Sequence, residues 1–577
     1  MIRNIRRRVI PSSLVENLGL RAPLENIYVA RGVKNSAELD LGLEDLAPPS
    51  TLMGAKEAAC ELADAIAGNF KILIVGDFDA DGATGTALAI QALKSFGAAN
   101  VDYIVPNRFD FGYGLTPEIV DLARKKNPKL IVTVDNGISS VDGVTSARNN
   151  NINVIITDHH LPGLVLPPAN VIVNPNQLGC NFISKNLAGV GVIFYVMLAL
   201  RAELRERQWF ITKNIKEPNL AVFLDLVALG TIADVVSLDY NNRILVEGGL
   251  RRIRQGKASP GVASLINISC RDFEEIVSSD LGFALGPRLN AAGRLDDMSL
   301  GIECLLSSDS SHAKTLAIQL DKLNRERRNL QEEMTAVAEE AVRKIEIESK
   351  EQVTSGIVIY DCSLHEGIIG IVAGRIKEKF HQPTFVFADS GTNSLKGSGR
   401  SIAGVHIRDV LELMASRNDG LITKFGGHAM AAGLTLYKKD LGKFRESFQM
   451  TVEELTKTSG TENYIESDGE FNPDWFDLSN VRSIQMGGPW GQGFPAPVFD
   501  GCFKVLSSRV IGDRHLKLNL VFSDCSHSFD AIAFNIDRNI LYSDTIEEVE
   551  IVYRLEINSY RRRESIQAVI EQISIVD

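Results

Sequence analysis

Three acidic side chains at alternate positions, Asp77, Asp79 and Asp81, directly follow an apolar, β-branched segment of the chain. In extended backbone such side chains lie on one side, so their carboxylates can bind one cation together. The residue order D-x-D-x-D-G also begins EF-hand calcium loops. An EF-hand needs an acid at its twelfth position, which here is Leu88, and a helix before the loop, where this sequence predicts a strand. The sequence therefore favours an oxygen-rich metal site of another kind.

Further candidate ligands follow two later apolar segments. Asp135 lies in the motif T-V-D-N-G, and His159 and His160 lie in T-D-H-H. Neutral imidazole with carboxylates suits manganese, zinc or iron, whereas carboxylates alone suit magnesium. Adjacent side chains of an extended segment point to opposite sides, so we expect one histidine to bind metal and the other to meet substrate. A purely structural role is the alternative for either histidine.

An aspartate inside an apolar stretch is a fourth candidate. Asp234 lies in the segment L-G-T-I-A-D-V-V, and burial of an unpaired carboxylate costs several kcal/mol. A metal ion would offset that cost, and an ordinary helix cap is the alternative. Asp225, earlier in the same stretch, is the weaker candidate.

Two later motifs have the residue types that bind phosphate. Gly397-Ser398-Gly399-Arg400 offers backbone N–H groups, a hydroxyl and a guanidinium. His428 follows two glycines and leads into a segment of small residues, past which a nucleic-acid strand could lie close to the backbone. Glycine turns made for packing are the alternative for both motifs.

Short β-branched segments alternate with helical patterns from residue 71 onward. This alternation predicts a parallel sheet covered by helices on both faces. Ligands of such sheets bind beyond the carboxyl ends of the strands, so the acidic motifs should converge on one crevice. The predicted strands are 71–76, 101–105, 129–134, 152–157 and 170–174. The predicted helices are near 54–67, 84–96, 116–126 and 140–149, followed by apolar helices at 186–205 and 218–238.

The remainder of the chain changes character twice. An amphipathic segment at about 312–350 predicts a long helical connector. A second α/β pattern follows it, with strands near 355–360 and 384–388 and a helix at 367–380. Beyond about residue 462, short β-rich segments predict a small barrel or sandwich, with an oligonucleotide-binding (OB) barrel as one candidate.

Composition and charge limit the classes of protein. The chain has 577 residues, 45% of them hydrophobic and 23% charged, which excludes a disordered, collagen-like or coiled-coil protein. The net charge is −12, and residues 462–577 hold 10 basic against 19 acidic residues, so any nucleic-acid surface must be a local groove. The longest apolar run, 187–200, is shorter than the roughly 18 residues of a membrane span. We expect a cytoplasmic protein without disulfide bonds.

The ordered motifs carry a family resemblance. The set DFDADG, TVDNG, DHH and GTIADVV resembles the DHH phosphoesterase superfamily. With VPNRFDFGYGLT, GPRLNAAGRL, HEGIIGIVAGRI, KGSGRS and GGHAMAAG, residues 50–437 are similar to the RecJ family of single-strand-specific exonucleases. A small departure is Phe78, where the motif often has tyrosine. The resemblance implies an α/β fold class with an N-terminal segment (1–50), a DHH-type parallel-sheet catalytic domain (51–305), a helical connector (306–352), a smaller α/β DHHA1-type nucleic-acid-binding domain (353–455) and a β-rich OB-like domain (462–577).

The resemblance also implies a site for two divalent metal ions, Mn²⁺ or Mg²⁺, in which Asp135 bridges the ions and His160 lies close by. The implied metal ligands are Asp77, Asp79, Asp81, Asp135, His159 and Asp234, and the implied catalytic residues are Asp79, Asp81, Asp135, His159, His160 and Asp234. The residues implied to contact the DNA backbone and its terminal phosphate are Arg108, Arg288, Arg294, Ser398, Arg400 and His428. Surface ion pairs are the alternative for each arginine.

The implied function is a metal-dependent exonuclease that degrades single-stranded DNA in the 5′→3′ direction during recombination and repair. The implied partners are single-stranded DNA, single-strand-binding protein and a RecQ-type helicase, with no membrane contact and a monomeric chain. One alternative is a small-nucleotide phosphodiesterase or pyrophosphatase on the same fold, which has no need of the β-rich domain. The other is a non-catalytic single-strand-binding replication scaffold, which should lack metal ligands.

The acidic C-terminal region contains residue types that suit a single-strand-binding groove. Such grooves combine local positive charge with aromatic platforms for bases. The candidates are Trp475, Trp490, Phe494, Phe499, Phe503 and the basic run Arg561-Arg562-Arg563. A place in the hydrophobic core is the alternative for the aromatic residues. If a chain ending near residue 460 folds, we expect it to hydrolyse short oligonucleotides but to bind long single strands more weakly.

Overall fold

The computed structural model describes residues 3–10, 18–20, 22–107, 114–349, 355–459, 463–512, 514–522, 527–536, 546–560 and 563–576. The chain forms two compact units. The first unit combines Arg7–Asn324 with Ser467–Asp577, and the second unit combines Met1–Arg6 with Arg325–Glu466. The C-terminal region therefore belongs to the same unit as the acidic motifs, a grouping that the predicted division into consecutive segments does not contain.

Strands and helices are numbered in chain order within the described residues. The strands are β1 (Asn4–Arg7), β2 (Ile72–Val75), β3 (Val101–Ile104), β4 (Leu130–Val134), β5 (Asn153–Thr157), β6 (Val171–Val173), β7 (Ile357–Tyr360), β8 (Thr384–Asp389), β9 (Ser394–Arg400), β10 (Lys424–Gly427), β11 (Ala431–Tyr437), β12 (Tyr464–Ser467), β13 (Phe499–Ile511), β14 (His515–Phe522), β15 (Ser528–Ala533), β16 (Glu548–Tyr560) and β17 (Arg563–Ile575). The helices are α1 (Leu24–Val29), α2 (Ala55–Ala67), α3 (Ala80–Ser95), α4 (Pro117–Arg124), α5 (Val141–Asn149), α6 (Gly189–Glu206), α7 (Trp209–Thr212), α8 (Leu224–Ala233), α9 (Tyr240–Arg254), α10 (Pro260–Ile268), α11 (Ser278–Asp280), α12 (Gly286–Leu295), α13 (Ser299–Leu306), α14 (Ser310–Ser349), α15 (Ile369–Phe380), α16 (Ile407–Arg417), α17 (Leu441–Ser459) and α18 (Leu478–Met486).

The first unit contains a parallel sheet with the strand order β3-β2-β4-β5-β6, which confirms the predicted parallel sheet. Alternate side chains of each strand enter different cores. Ile72 and Ile74 pack with α2, α3 and α6, whereas Leu73 and Val75 pack with α4 and α5. Both faces are therefore covered, which explains why the strands are continuous apolar runs.

The strand order changes direction beside β2. The chain runs from β2 outward to β3 and then returns to β4 on the other side of β2. In open parallel sheets the crevice beyond the carboxyl ends of the strands at such a reversal is where ligands bind. The loops after β2 and β4 carry the first two acidic motifs, so the topology itself brings them together.

A closed five-stranded barrel with the order β13-β14-β15-β17-β16 forms the end of the chain and confirms the predicted OB-like domain. Its core is aromatic, with the ring of Phe503 5.3 Å from those of Phe522 and Phe529. Phe499 and Phe503 are each only 3% exposed. The prediction that these two rings are platforms for bases is therefore wrong, because they fill the barrel.

The segment before the barrel packs on the core of the parallel-sheet region. Trp490 and Phe494 are 9% and 5% exposed and stack on Tyr28, with ring centroids 5.8 and 6.3 Å away. The Arg243 guanidinium lies 4.3 Å from the Phe494 ring centroid. These two aromatic residues are core residues as well, so they are not base platforms. Trp475 is half-buried, Arg563 is exposed, and Arg561 and Arg562 lie outside the described residues.

The second unit contains a mixed sheet with the order β10-β11-β9-β8-β7. Only the β7–β8 pair is parallel among its pairings, and the others are antiparallel. Strands β7 and β8 and helix α15 correspond to the elements predicted there, and α14 corresponds to the predicted connector. Within the described ranges, no helix has both the length and the apolar composition needed to span a membrane.

Candidate metal centre and phosphate site

Asp77 and Asp79 belong to the loop between β2 and α3. The Asp79 carboxylate accepts a hydrogen bond from the Gly82 N–H at 3.0 Å and caps α3. Because of this cap, α3 begins at Ala80 and not near residue 84 as the sequence predicted. A side chain at Gly82 would lie 2.7 Å from the Asp77 backbone. The close approach brings both carboxylates beside the positive end of the α3 dipole.

Asp81 is buried and links α3 to the N-terminus of α6. Its two carboxylate oxygens accept hydrogen bonds from the N–H groups of Gly189 at 2.6 Å and Val190 at 2.9 Å. A Cβ at Gly230 would lie 2.9 Å from Asp81 Oδ1. The carboxylate is thus held in position by a helix N-terminus on one side and by a glycine on the other.

Asp135 follows β4 in left-handed backbone, with φ of +64°. Aspartate adopts this region more readily than most residues. The turn is held by the Asn136 side-chain amide, which donates to the Val75 carbonyl at 3.0 Å, and by the Thr133 hydroxyl, which donates to the Asn136 carbonyl at 2.7 Å. A Cβ at Gly189 would lie 2.6 Å from Asp135 Oδ1. The T-V-D-N-G motif therefore forms a turn that fixes the position of the Asp135 carboxylate.

Asp158 orients the second histidine, a role that the sequence interpretation did not assign although the residue opens the D-H-H motif. It is buried and accepts a hydrogen bond from the Ile138 N–H at 2.9 Å. Its Oδ1 lies 2.7 Å from Nδ1 of His160. Burial, the largest single cause, would raise the pKa of Asp158 and lower that of His160, but their hydrogen bond and the attraction between opposite charges together outweigh it. The pKa of Asp158 is lowered, and that of His160 is raised to about 9.

Asp234 lies directly after the last residue of α8, and its N–H donates to the Gly230 carbonyl. It is thus a helix-terminal residue, and its side chain is 22% exposed. Asp225, the weaker alternative, lies in the first turn of the same helix, where its carboxylate accepts hydrogen bonds from the N–H groups of Ser259 and Leu226. Asp225 has this structural role, and Asp234 is the acid that joins the other motifs.

The structure brings all six predicted metal ligands together, with His160 beside them. His159 Nε2 lies 3.1 Å from Asp135 Oδ1 and 3.5 Å from Asp234 Oδ2. Within the described residues, three groups of side chains have ligand atoms within 4.8 Å of one another. They are Asp77–Asp79–Asp135, Asp81–His159–Asp234 and Asp135–His159–His160. Asp135 and His159 each belong to two of the groups, and Asp135 is the one of the two whose carboxylate has two oxygens with which to bridge a pair of ions.

Burial and mutual repulsion raise the pKa values of these acids. Burial, then repulsion from Asp79, raises the pKa of Asp81 to about 7. Burial and repulsion from Asp81 raise the pKa values of Asp135 and Asp234 well above the usual range. A divalent cation would offset both causes, since it attracts each carboxylate and replaces part of its lost hydration.

The donor set fits two divalent ions of the Mn²⁺ or Mg²⁺ type. Carboxylate oxygens dominate it, which suits both metals, and the imidazole of His159 adds a ligand that favours Mn²⁺. The glycines at 189 and 230 leave the acids room that a Cβ would fill. The shared position of Asp135 matches a pair of ions better than a single one.

The raised pKa values predict a metal-dependent effect of pH on stability. Without metal, Asp81 is protonated in the folded state up to about pH 7 but loses its proton near pH 4 when unfolded. The free energy of unfolding of the metal-free protein should therefore fall as pH rises from about 4 to about 7. Divalent metal requires deprotonated ligands, so Mn²⁺ should raise the melting temperature more at pH 8 than at pH 5.

Thermal unfolding with chelator or Mn²⁺ across this pH range measures both effects. Asp81→Asn should make the metal-free profile less steep, since Asp135 and Asp234 still contribute to it, and Asp64→Asn, at an exposed acid of α2, serves as the control. Equal Mn²⁺ stabilisation at pH 5 and pH 8 would contradict the assignment of the acids as ligands.

Ser398 and Arg400 lie at alternate positions of β9 in the second unit. Arg400 Nη1 donates to Ser398 Oγ at 3.3 Å and to the Gly399 carbonyl at 2.9 Å. A Cβ at Gly370, in the first turn of α15, would lie 2.9 Å from Ser398 Oγ and 3.0 Å from Arg400 Nη2. Burial lowers the pKa of Arg400. A hydroxyl, a partly desolvated guanidinium and a helix N-terminus together suit a phosphate.

One part of the predicted phosphate site, the use of its backbone N–H groups, is wrong. The sequence interpretation used backbone N–H groups of the segment 397–400, but this segment is part of β9 and is paired with β8 on one side and β11 on the other. Those pairings occupy the backbone, so the side chains of Ser398 and Arg400 are the available donors.

The other predicted DNA contacts have different surroundings. Arg288 is only 8% exposed, and its Nε donates to Asp321 at 2.9 Å. This buried ion pair gives Arg288 a structural role and argues against the predicted DNA contact. Arg294 is half-buried in the last turn of α12, and His428 is exposed directly after β10. Arg108 lies outside the described residues.

Three segments of the chain match known families in the order of the observed domains. Residues 71–231 match the DHH family, N-terminal domain. Residues 353–454 match the DHHA1 domain, and residues 467–572 match the RecJ OB domain. The first match covers the first three acidic motifs, and the second covers Ser398 and Arg400.

Relatives are similar over the full length. The chain is 48% identical over 573 residues to the "Single-stranded-DNA-specific exonuclease RecJ" of Dickeya dadantii, with 99% of each chain covered. Crystal structures of RecJ from Thermus thermophilus in complex with Mn²⁺ and with Mg²⁺ have TM-scores of 0.81 and 0.75 and identities of 27% and 25%. They cover 100% of this chain and 80% and 79% of the solved chains. With this domain order and this similarity over the full length, the chain belongs to the RecJ family of single-stranded-DNA-specific exonucleases.

Proposed function

We propose that this chain is a metal-dependent exonuclease that hydrolyses single-stranded DNA in the 5′→3′ direction. The observation that carries the proposal is the complete donor set, six ligands with His160, assembled in one site. A non-catalytic relative that serves as a scaffold has no need of such a set. Membership of the RecJ family supports single-stranded DNA as the substrate, and the direction rests on the resemblance of the sequence motifs to that family.

The side chains of the centre have two proposed roles: the acids bind the metal ions, and His160 contacts the phosphate. Two divalent ions, when bound, supply the positive charge that lowers the pKa of an attacking water and offsets charge on the phosphate. Asp135 and the acids around it would hold that charge in place. In the metal-free protein, the hydrogen bond and charge of Asp158, with the charges of Asp77 and Asp79, raise the pKa of His160 to about 9 despite its burial. We assign its Nε2–H as a hydrogen-bond donor to the phosphate oxygen that gains charge in the transition state. The proton that the attacking water loses passes to solvent, and the leaving oxygen takes a proton from solvent.

Hydrolysis assays with end-labelled oligonucleotides test the proposal. Single-stranded DNA should be degraded with Mn²⁺ or Mg²⁺ and remain intact with chelator, whereas duplex DNA should resist. A label at the 3′ end should persist on shortening fragments, while a label at the 5′ end should be released at once. Loss of the 3′ label first would contradict the direction. Rapid cleavage of small nucleotides with intact single strands would favour the phosphodiesterase alternative.

Arg400→Ala should lower kcat/KM on 5′-phosphorylated single strands by roughly 10- to 100-fold, because a charge-assisted bond to phosphate contributes about 1.5–3 kcal/mol. Overall binding of a long strand should weaken less, since many other phosphates contribute to it. Arg417→Ala, at an exposed arginine of the same unit, is the control. Equal rates for Arg400→Ala and the parent at subsaturating substrate would contradict the phosphate assignment.

The proposal extends to the cellular setting. Single-strand-binding protein and a RecQ-type helicase are the proposed protein partners, the chain is proposed to act as a cytoplasmic monomer, and recombination and repair are the proposed processes. Co-purification of the tagged chain from cells, with and without nuclease treatment, tests the two protein contacts.

A further inference from the structure

Two large apolar side chains are strongly exposed in segments that adjoin the loop of the proposed ligand Asp234. Phe283 is 78% exposed and Val235 is 64% exposed. Val235 directly follows the ligand Asp234, and Phe283 lies in the π-helical turn Leu281–Leu285. Single exposed apolar residues are common on protein surfaces, but two that flank one catalytic loop suggest a binding surface.

The turn that carries Phe283 packs closely on the Asp234 loop. A Cβ at Gly282 would lie 3.1 Å from the Ile232 side chain and 3.9 Å from its carbonyl oxygen. That same carbonyl accepts a hydrogen bond from the Val235 N–H at 3.3 Å. Phe283 and Val235 therefore belong to segments that meet at one peptide group, two residues before the ligand Asp234.

The helix that follows this turn also contacts the first acidic loop. The Asn290 side chain accepts a hydrogen bond from the Ala80 N–H at 2.9 Å. A Cβ at Gly293 would lie 1.8 Å from the Phe78 carbonyl oxygen. The segment from the π-helical turn through α12 is thus fixed against both loops that hold metal ligands, and Phe283 is held at a defined place relative to them.

The backbone at both exposed side chains is unusual. Val235 has φ of +62°, a conformation that β-branched residues rarely adopt. Phe283 lies in a π-helical turn, and such turns are frequent at functional sites. An ordinary helix end would remove the strain at Val235, so that strain is consistent with a function for this exposed segment.

We propose that Phe283, in the turn that packs on the Val235 segment, is a stacking surface for the base of the nucleotide next to the phosphate under attack. The inference rests on the proposed function, since a nucleic-acid strand must enter the metal centre. Every base has an aromatic face, so stacking on Phe283 would position the strand without sequence preference. Phe283 contributes no proton and no metal ligand, and its contribution is to substrate positioning.

Kinetics on three variants test this contact. Phe283→Ala should lower kcat/KM for short single strands by roughly 5- to 100-fold, the range expected for loss of one stacked base. Phe283→Tyr keeps the ring and should stay within about twofold of the parent. Phe70→Ala is the matched control, because Phe70 is 48% exposed but precedes β2, at the opposite edge of the same sheet.

Substrates with abasic sites at the two terminal nucleotides identify the partner of the ring. The parent should be slowed on abasic strands, and Phe283→Ala should show no further loss on them, because the stacked base is already missing. Additive losses, or equal rates of the parent on abasic and normal strands, would overturn the inference. The comparison of abasic with normal strands uses the parent protein alone, so it remains valid even if Phe283→Ala does not fold.

Binding without cleavage provides a second readout. A strand with the fluorescent base 2-aminopurine at its end, mixed with protein and chelator, should show stronger quenching with the parent than with Phe283→Ala. Equal quenching would count against stacking. Failure of the parent to cleave any single strand would instead contradict the proposed function, so the two failures are distinguishable.

Discussion

Asp135→Ala is expected to abolish metal-dependent hydrolysis of single-stranded DNA, with a loss of at least about a thousandfold. Asp135 belongs to two of the three ligand groups, so its removal disturbs the positions of both ions. Metal ions at phosphoryl centres stabilise the transition state by several kcal/mol, and each 1.4 kcal/mol corresponds to a factor of ten in rate. No other acid in those groups is shared in this way with the histidine pair.

The same substitution should leave the metal-free protein folded. Burial, and then repulsion from Asp81, raises the pKa of Asp135, so its carboxylate opposes folding at neutral pH when no cation is bound. Hydrolysis assays, calorimetric titration with Mn²⁺ and thermal unfolding measure the three consequences. Asp142→Ala, at an exposed acid in the first turn of α5, should behave as the parent. Metal-dependent cleavage by a folded Asp135→Ala protein would refute the bridging role.

The clustering of the predicted metal ligands could be predicted because most of them follow strands. Apolar, β-branched runs identify the strands, and parallel strands end at one edge, so acids after β2, β4 and β5 must approach one another. Asp234 was a weaker candidate ligand from sequence alone, since it follows a helix. The cap at Asp79 and the left-handed turn at Asp135 depend on hydrogen bonds that no spacing rule specifies.

The second unit shows why the phosphate motif was only partly predicted. The sequence interpretation treated the backbone at Gly397 and Gly399 as available to phosphate, yet both residues lie in β9. A Cβ at either position would lie 2.4 Å from the ring of Phe387 or Phe385 on the neighbouring strand. The glycines make room for these rings, a reason that becomes visible only once the pairing of β8 with β9 is known.

The C-terminal region differs most from its predicted role. Its aromatic residues fit a single-strand-binding groove by type, but burial decides their function, and Trp490, Phe494, Phe499 and Phe503 are all buried. Sequence alone could not separate the two roles, because both use the same residues. The structure shows what Trp490 and Phe494 pack against, namely the core around Tyr28 and Arg243.

Removal of residues 467–577 is therefore expected to abolish hydrolysis of short as well as long oligonucleotides. The sequence interpretation expected a chain ending near residue 460, if folded, to keep its activity on short strands. In the structure the Leu238 N–H, four residues after Asp234, donates to the Gln492 carbonyl at 2.7 Å. The Ser278 hydroxyl donates to the Trp490 carbonyl at 2.6 Å. Truncation would uncover this apolar surface and release the segment beyond a metal ligand.

Truncation would also remove the partners of a buried arginine, Arg31. Its side chain is 1% exposed and forms an ion pair with Asp468 at 2.8 Å. It also donates to the Pro495 carbonyl at 2.7 Å. Loss of both partners leaves the guanidinium with its hydrogen bond to the Ile27 carbonyl at 2.8 Å but without a carboxylate to balance its charge, which destabilises the protein.

A point variant separates this structural role from a role in DNA binding. Trp490→Ala in the full chain should lower the free energy of unfolding by about 3–5 kcal/mol, the usual cost of truncating a large buried aromatic residue. Activity on short oligonucleotides should fall with the fraction of folded protein, whereas the dependence of affinity on salt should not change, because no phosphate contact is lost. Leu506→Ala, at an exposed position of β13, is the control. A truncated chain that is folded and monomeric and cleaves short strands at the parental rate would show instead that the barrel is dispensable for catalysis and that its contacts with the catalytic core serve another purpose.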